Sequence, residues 1–174
     1  MNYSNKKISY QVAMASILVA LAMIFSYIEV LIPFNVGIPG IKLGIANLVI
    51  LVALYKLNFK YALLINVIRI MVTGLLFTGV FGAFYSLSGG ILSLVAMAIL
   101  KKTNWFSVVG ISLAGGVFHN LGQLLMAAFL VSNIKVFIYF PVLIFSGLIT
   151  GILIGIIAHF ILAKLPEVPN QSNL

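Results

Sequence analysis

With 174 residues, 63% of them hydrophobic and only 7% charged, the chain has the composition of a bilayer protein with room for about six spans of roughly 20 residues. It has no cysteine and no aspartate, and its two acids are Glu29 and Glu167, which excludes disulfides, thiolate chemistry and carboxylate clusters that hold magnesium on a diphosphate. The formal charge of +8 is read as membrane orientation, with no nucleic-acid partner, because the basic residues fall at the ends of apolar segments.

The first element is expected over about residues 8–32. Its apolar run is longer than a signal-peptide core and no small-residue cleavage pattern follows, so it reads as a transmembrane helix. Ser16 and Ala20, four apart, give it a face for close approach, and Glu29 near its far end is the only acid within any span. The segment Pro33–Leu43 follows as a loop; Gly37, Gly40 and Gly44 let the backbone there fold closely, while Pro33 and Pro39 restrict its path. A second helix over about residues 41–55 is short. It either extends into the preceding loop or sits inside the bundle without spanning.

The third helix, over about residues 61–77, carries Arg69 near its middle. A guanidinium there costs about 2.5–3.5 kcal/mol on insertion scales unless it faces a cavity or a partner, so Arg69 is expected to point inward. Two uses are open: an internal salt bridge to Glu29, or a contact with a charged substrate group. Asn66, one turn earlier, reads as a helix-packing hydrogen bonder. The fourth helix, over about residues 84–100, begins with Tyr85 and Ser86; an interfacial tyrosine is the ordinary reading and ligand stacking by Tyr85 the second.

The fifth helix, over about residues 106–131, contains GGVFHNLGQLL. His119 and Gln123 share a face, with Asn120 beside them, and together they are expected to line a polar pocket. The sixth helix, over about residues 136–163, repeats glycine at Gly147, Gly151 and Gly155, a spacing that suits internal packing and self-association equally. His119 and His159 lie on different helices, and the available carboxylates do not complete a metal site with them. No metal and no cofactor are expected. Residues 164–174 form a polar tail.

On a six-helix path Lys6, Lys7, Lys56, Lys60, Lys101, Lys102 and Lys164 fall on one side, and only Lys42 and Lys135 on the other. That bias places both termini in the cytoplasm and makes Lys42 stand out, either as a solvated loop charge or as a ligand contact. No glycine-rich phosphate loop is present, so the chain is not expected to hydrolyse ATP or to be an enzyme.

Three motifs in order, SYIEVLIPFNVGIPGIKLGIANLVILVALY, YSLSGGILS and GGVFHNLGQLLMA, resemble the Gx transporter family, also labelled heptaprenyl diphosphate synthase component I. The resemblance covers nearly the whole chain. This family is similar to the S components of energy-coupling factor (ECF) transporters, small six-helix membrane proteins. The resemblance implies a vitamin-sized ligand bound near the outer face beneath the loop between helices one and two. It also implies partnership with a transmembrane T component and two ATPases. Ser16 and Ala20 are the nearest match to the docking stripe of the first helix, but they give Ser-x-x-x-Ala where Ala-x-x-x-Ala is expected.

The sequence therefore leads to an all-α polytopic bundle of six transmembrane helices, one membrane domain over residues 1–174, in the cell membrane. Its expected function is capture of a small anionic or zwitterionic vitamin-like solute by Arg69, Lys42, His119, Asn120 and Gln123, with Glu29 and Asn47 shaping the mouth. Two alternatives accompany it. One is a non-catalytic partner of a prenyl synthase in isoprenoid or quinone synthesis, the other a transport or assembly subunit of flavin-based extracellular electron transfer.

Overall fold

The computed structural model describes residues 3–32 and 44–166. Lys42 and four of the loop positions singled out above, Pro33, Gly37, Pro39 and Gly40, lie outside the described residues. Six α-helical stretches follow one another: α1 (Tyr3–Leu31), α2 (Ile45–Lys56), α3 (Phe59–Thr73), α4 (Gly79–Thr103), α5 (Val108–Val131) and α6 (Phe140–Lys164). A π-helical turn, Gly74–Thr78, joins α3 to α4, and a 3₁₀ segment, Ile134–Tyr139, leads into α6. No strand is present among the described residues.

The count corrects one expectation. Six separate helices were expected, but the described residues form five uninterrupted helical runs, because Phe59–Thr103 carries no non-helical gap. The chain still reverses there. A methyl group at Gly74 would lie 2.6 Å from Ala83 Cβ, and one at Gly90 would lie 2.7 Å from Asn66 Nδ2, so α4 folds back along α3. The reversal is made by Gly79 at φ 70° and ψ 178°, a region essentially reserved for glycine, while the π turn keeps the helical hydrogen bonding intact up to it.

Polar residues close the other ends. Asn58 Oδ1 accepts from Tyr61 N–H at 3.1 Å and Ser107 Oγ accepts from Gly110 N–H at 3.2 Å, capping α3 and α5. Asn104 and Ser132, both at positive φ, terminate α4 and α5.

Four of the five runs are long and apolar enough to cross a membrane. Their outward residues include Leu75, Phe81, Phe129 and Phe145, a density of exposed apolar side chains that a bilayer accommodates and water does not. The short α2 is different: Leu48 to Leu54 are all buried, so this helix is apolar on every side and sits inside the bundle. It packs against α1, α3 and α6.

The glycine stripe of α6 is used internally. A methyl group at Gly151 would lie 2.7 Å from Leu113 Cα and one at Gly155 the same distance from Val109 Cα, so both glycines are pressed against the backbone of α5. That contact takes them out of consideration for self-association.

The two ends of the bundle differ. At one, Lys56 Nζ donates to the Leu165 carbonyl at 2.8 Å, and Lys101 Nζ donates to the Leu54 carbonyl at 2.6 Å while lying 4.7 Å from the Tyr55 ring centroid. Both lysines thus meet carbonyls at helix C-terminal ends. At the other end, Glu29 Oε1 accepts from Ile45 N–H at 2.5 Å and satisfies a donor of the first turn of α2.

Gly79 has open space around its Cα, so a methyl group there meets nothing within 4 Å and its cost is purely conformational. Gly79→Ala is expected to lower stability by about 1–3 kcal/mol, read as a lower unfolding midpoint in detergent.

Candidate functional site

The site is organised by one face of α3. Asn66, Arg69 and Thr73 are spaced three and four apart and all three are buried. Arg69 is 6% exposed, and its guanidinium reaches three helices. Nε and Nη2 donate to Asn66 Oδ1 at 3.1 and 2.9 Å, Nη2 donates to Asn47 Oδ1 of α2 at 3.3 Å, and Nη1 donates to Ser26 Oγ of α1 at 3.4 Å. Thr73 Oγ1 donates to the Arg69 carbonyl at 2.7 Å.

These acceptors are neutral. They orient the guanidinium and satisfy most of its N–H groups without neutralising its charge. The Glu29 carboxylate receives the α2 amide and lends its negative charge to the arginine's surroundings; the two line one cavity, and the arginine's own hydrogen bonds go to amides and a hydroxyl.

That cavity measures about 270 Å³. Ser26 and Glu29 of α1, Asn47 of α2, Arg69 and Thr73 of α3 and His119 of α5 form its polar wall, with Thr78 and Ser86 contributing from the α3–α4 reversal and α4. A second, narrower chamber of about 20 Å³ lies beyond Asn47 and His119. It adjoins Ser93, Ser112, Asn120 and Thr150 and has room for a single water-sized group. Ser93 Oγ, buried, finds no hydrogen-bond partner among the described residues.

Of the residues singled out in the sequence, Glu29, Asn47, Arg69 and His119 come together around the larger cavity, and Gly44 borders it at φ 71°. Three others do not. Asn120 Nδ2 donates to the Leu143 carbonyl at 2.7 Å and ties α5 to α6, reaching only the inner chamber. Gln123 is buried between α5 and Gly89 of α4. Tyr85 is half-buried on α4, and neither chamber has it in its described lining. One α5 face thus serves two purposes, because a residue one position on, or one turn deeper, meets a neighbouring helix before it meets the cavity. Ser16 and Ala20 are exposed on α1, and Ser16 Oγ donates to the Val12 carbonyl.

Sequence reasoning missed Ser26, Thr73, Thr78, Ser86 and Ser93. For the first two a signal existed: Ser26 precedes Glu29 by one turn and Thr73 follows Arg69 by one turn, which puts each on the same face as a charged residue.

An all-α bundle with apolar helices long enough to cross a membrane and a polar, arginine-bearing cavity at one end defines a helical membrane protein with a small-molecule-sized cavity. A family profile described as heptaprenyl diphosphate synthase component I matches residues 18–161, and the chain belongs to that family. Comparison with curated proteins and with solved structures finds no match.

Gly90 gives Asn66 its space, since a methyl group there would lie 2.7 Å from Asn66 Nδ2 and 3.1 Å from Ile70 Cδ1. Asn66→Ala removes the double acceptor of a buried cation and is expected to cost about 1.5–3 kcal/mol. Gly90→Ala displaces the same amide and is expected to cost about 1–3 kcal/mol. Because both act on one contact, the double variant loses less than the sum; unfolding in detergent measures the cycle.

Proposed function

We propose that this protein is a substrate-binding membrane subunit, similar to the S components of ECF transporters, that captures a small anionic or zwitterionic vitamin-like solute from the outer face for transport. One observation carries the reading: a buried arginine, oriented by neutral acceptors from three helices, lines a polar cavity. Intramembrane ions of this kind mark substrate pathways. Arg69 takes the anionic group of the solute, Asn47 and His119 supply hydrogen bonds, and Glu29 faces a cationic substituent.

The lysine-bearing end is the cytoplasmic one under the positive-inside rule, which puts both termini in the cytoplasm of a multi-pass protein of the cell membrane and opens the cavity to the outside. In this reading Lys42, with Pro33, Gly37, Pro39, Gly40 and Gly44, caps the solute. Tyr85, Asn120 and Gln123 act behind the first ring of contacts. Ser16 and Ala20, exposed on α1, are the surface for a T component, and two ATPases supply the energy that a chain without a phosphate loop does not. The subunit is not itself an enzyme.

The family description supports a second reading, a non-catalytic membrane component working with a prenyl synthase subunit. Native mass spectrometry of protein purified in mild detergent from its own host separates the two. The first reading predicts a retained anionic or zwitterionic solute, with ATPases and a T-like subunit. The second predicts a prenyl synthase subunit and no solute.

Arg69→Ala is expected to insert and fold while lowering solute occupancy at least about 30-fold, the effect of removing one partner of a desolvated charged contact. Wild-type occupancy in that variant removes Arg69 from the site.

A further inference from the structure

A second feature lies on another side of the bundle. A lateral groove of about 430 Å³ opens between α1 and α6. Leu18 and Leu21 of α1, Ile161 of α6 and Leu165 just beyond it form its sides, and Val49 and Val52 of the buried α2 form its floor. Among the described residues its lining is apolar apart from Tyr10 at the lysine end. Both walls pack on α2, so the slot between them runs along the membrane-crossing direction and faces the bilayer.

Among the described residues, the charged groups at the mouth of the groove are cationic. Lys56 Nζ is bonded to the carbonyl of Leu165, a groove residue, at 2.8 Å. Lys164, exposed, is the adjacent residue, and Lys7 stands one turn before Tyr10 on the same face of α1. The only acid among the described residues, Glu29, is at the other end of α1.

We propose that this groove is a binding site for one anionic phospholipid, with a hydrocarbon chain laid against α2 and the phosphate among Lys7, Lys56 and Lys164. An apolar slot alone accepts any chain; the three lysines select the charge of the head. Basic pockets between membrane helices hold anionic headgroups in this way, and the bilayer supplies such lipids at high local concentration. The site is separate from the Arg69 cavity and does not depend on the function proposed for it.

The test is native mass spectrometry of the full chain in detergent, given an equimolar mixture of phosphatidylglycerol and phosphatidylcholine with matched acyl chains. The wild-type protein is expected to retain one phosphatidylglycerol in preference to phosphatidylcholine. Each lysine beside the headgroup contributes about a fivefold preference, so Lys7→Gln with Lys164→Gln lowers the ratio about 25-fold. Ala13→Phe places a ring in the groove from an exposed position of α1 and is expected to abolish retention of both lipids with an unchanged unfolding midpoint.

Equal retention of the two lipids by the wild-type protein overturns the proposal, as does undiminished retention by Ala13→Phe. Displacement of phosphatidylglycerol by equimolar farnesyl diphosphate assigns the groove to a prenyl diphosphate instead. A lipid-free dimer assigns it to a second copy of the chain.

Discussion

The structure depends on keeping a guanidinium charged inside an apolar bundle. Placing arginine at a helix centre costs about 2.5–3.5 kcal/mol on insertion scales, and each hydrogen bond to a charged group returns about 1.5–3 kcal/mol, so about two well-placed acceptors offset the cost and the remaining ones fix the orientation of Arg69. They come from three helices, Ser26 on α1, Asn47 on α2 and Asn66 on α3. That requirement fixes much else. The short α2 must lie in the interior to bring Asn47 within reach, and α4 must present glycine at position 90 to admit Asn66.

The remaining polar chemistry is divided between the two ends. At one end lysines meet the last carbonyls of α2 and α6, locking the termini of the central helix and its neighbour. At the other, Glu29 holds the first turn of α2, and the same helix end faces the cavity. The cavity beside Arg69 is lined from α1, α2, α3 and α5 at once, so under the proposed function a bound solute would touch all four helices. Close backbone packing through Gly147, Gly151 and Gly155 makes α5 and α6 a firm wall behind it.

Much of this was legible in the sequence, for reasons that differ between elements. Long apolar runs mark helices in a bilayer because backbone groups must be satisfied within the segment, so α1, α5 and α6 stood out. Arg69 had to face inward on cost alone. The break expected between residues 77 and 84 contains the reversal at Gly79, but the π turn that carries the helix into it without a non-helical gap left no mark in the sequence. On α5, the one-face argument joined His119 to Gln123 and Asn120, but rotation of the helix against α4 and α6 determines which side chain meets the cavity. Asn120 instead meets the Leu143 carbonyl. Serine and threonine are so common in membrane helices that Ser86 and Ser93 carried no signal of their own.

The most direct measurement is an experimental density map of protein purified from its own host, examined at the Arg69 guanidinium. The account predicts non-protein density for an anionic group at about 2.7–2.9 Å from a guanidinium nitrogen, the distance of a charge-assisted hydrogen bond, with Asn66, Asn47 and Ser26 still in place around it. A cavity in which the Glu29 carboxylate has left the α2 amide to pair directly with Arg69, with no further density, would contradict it and make the arginine a purely structural ion.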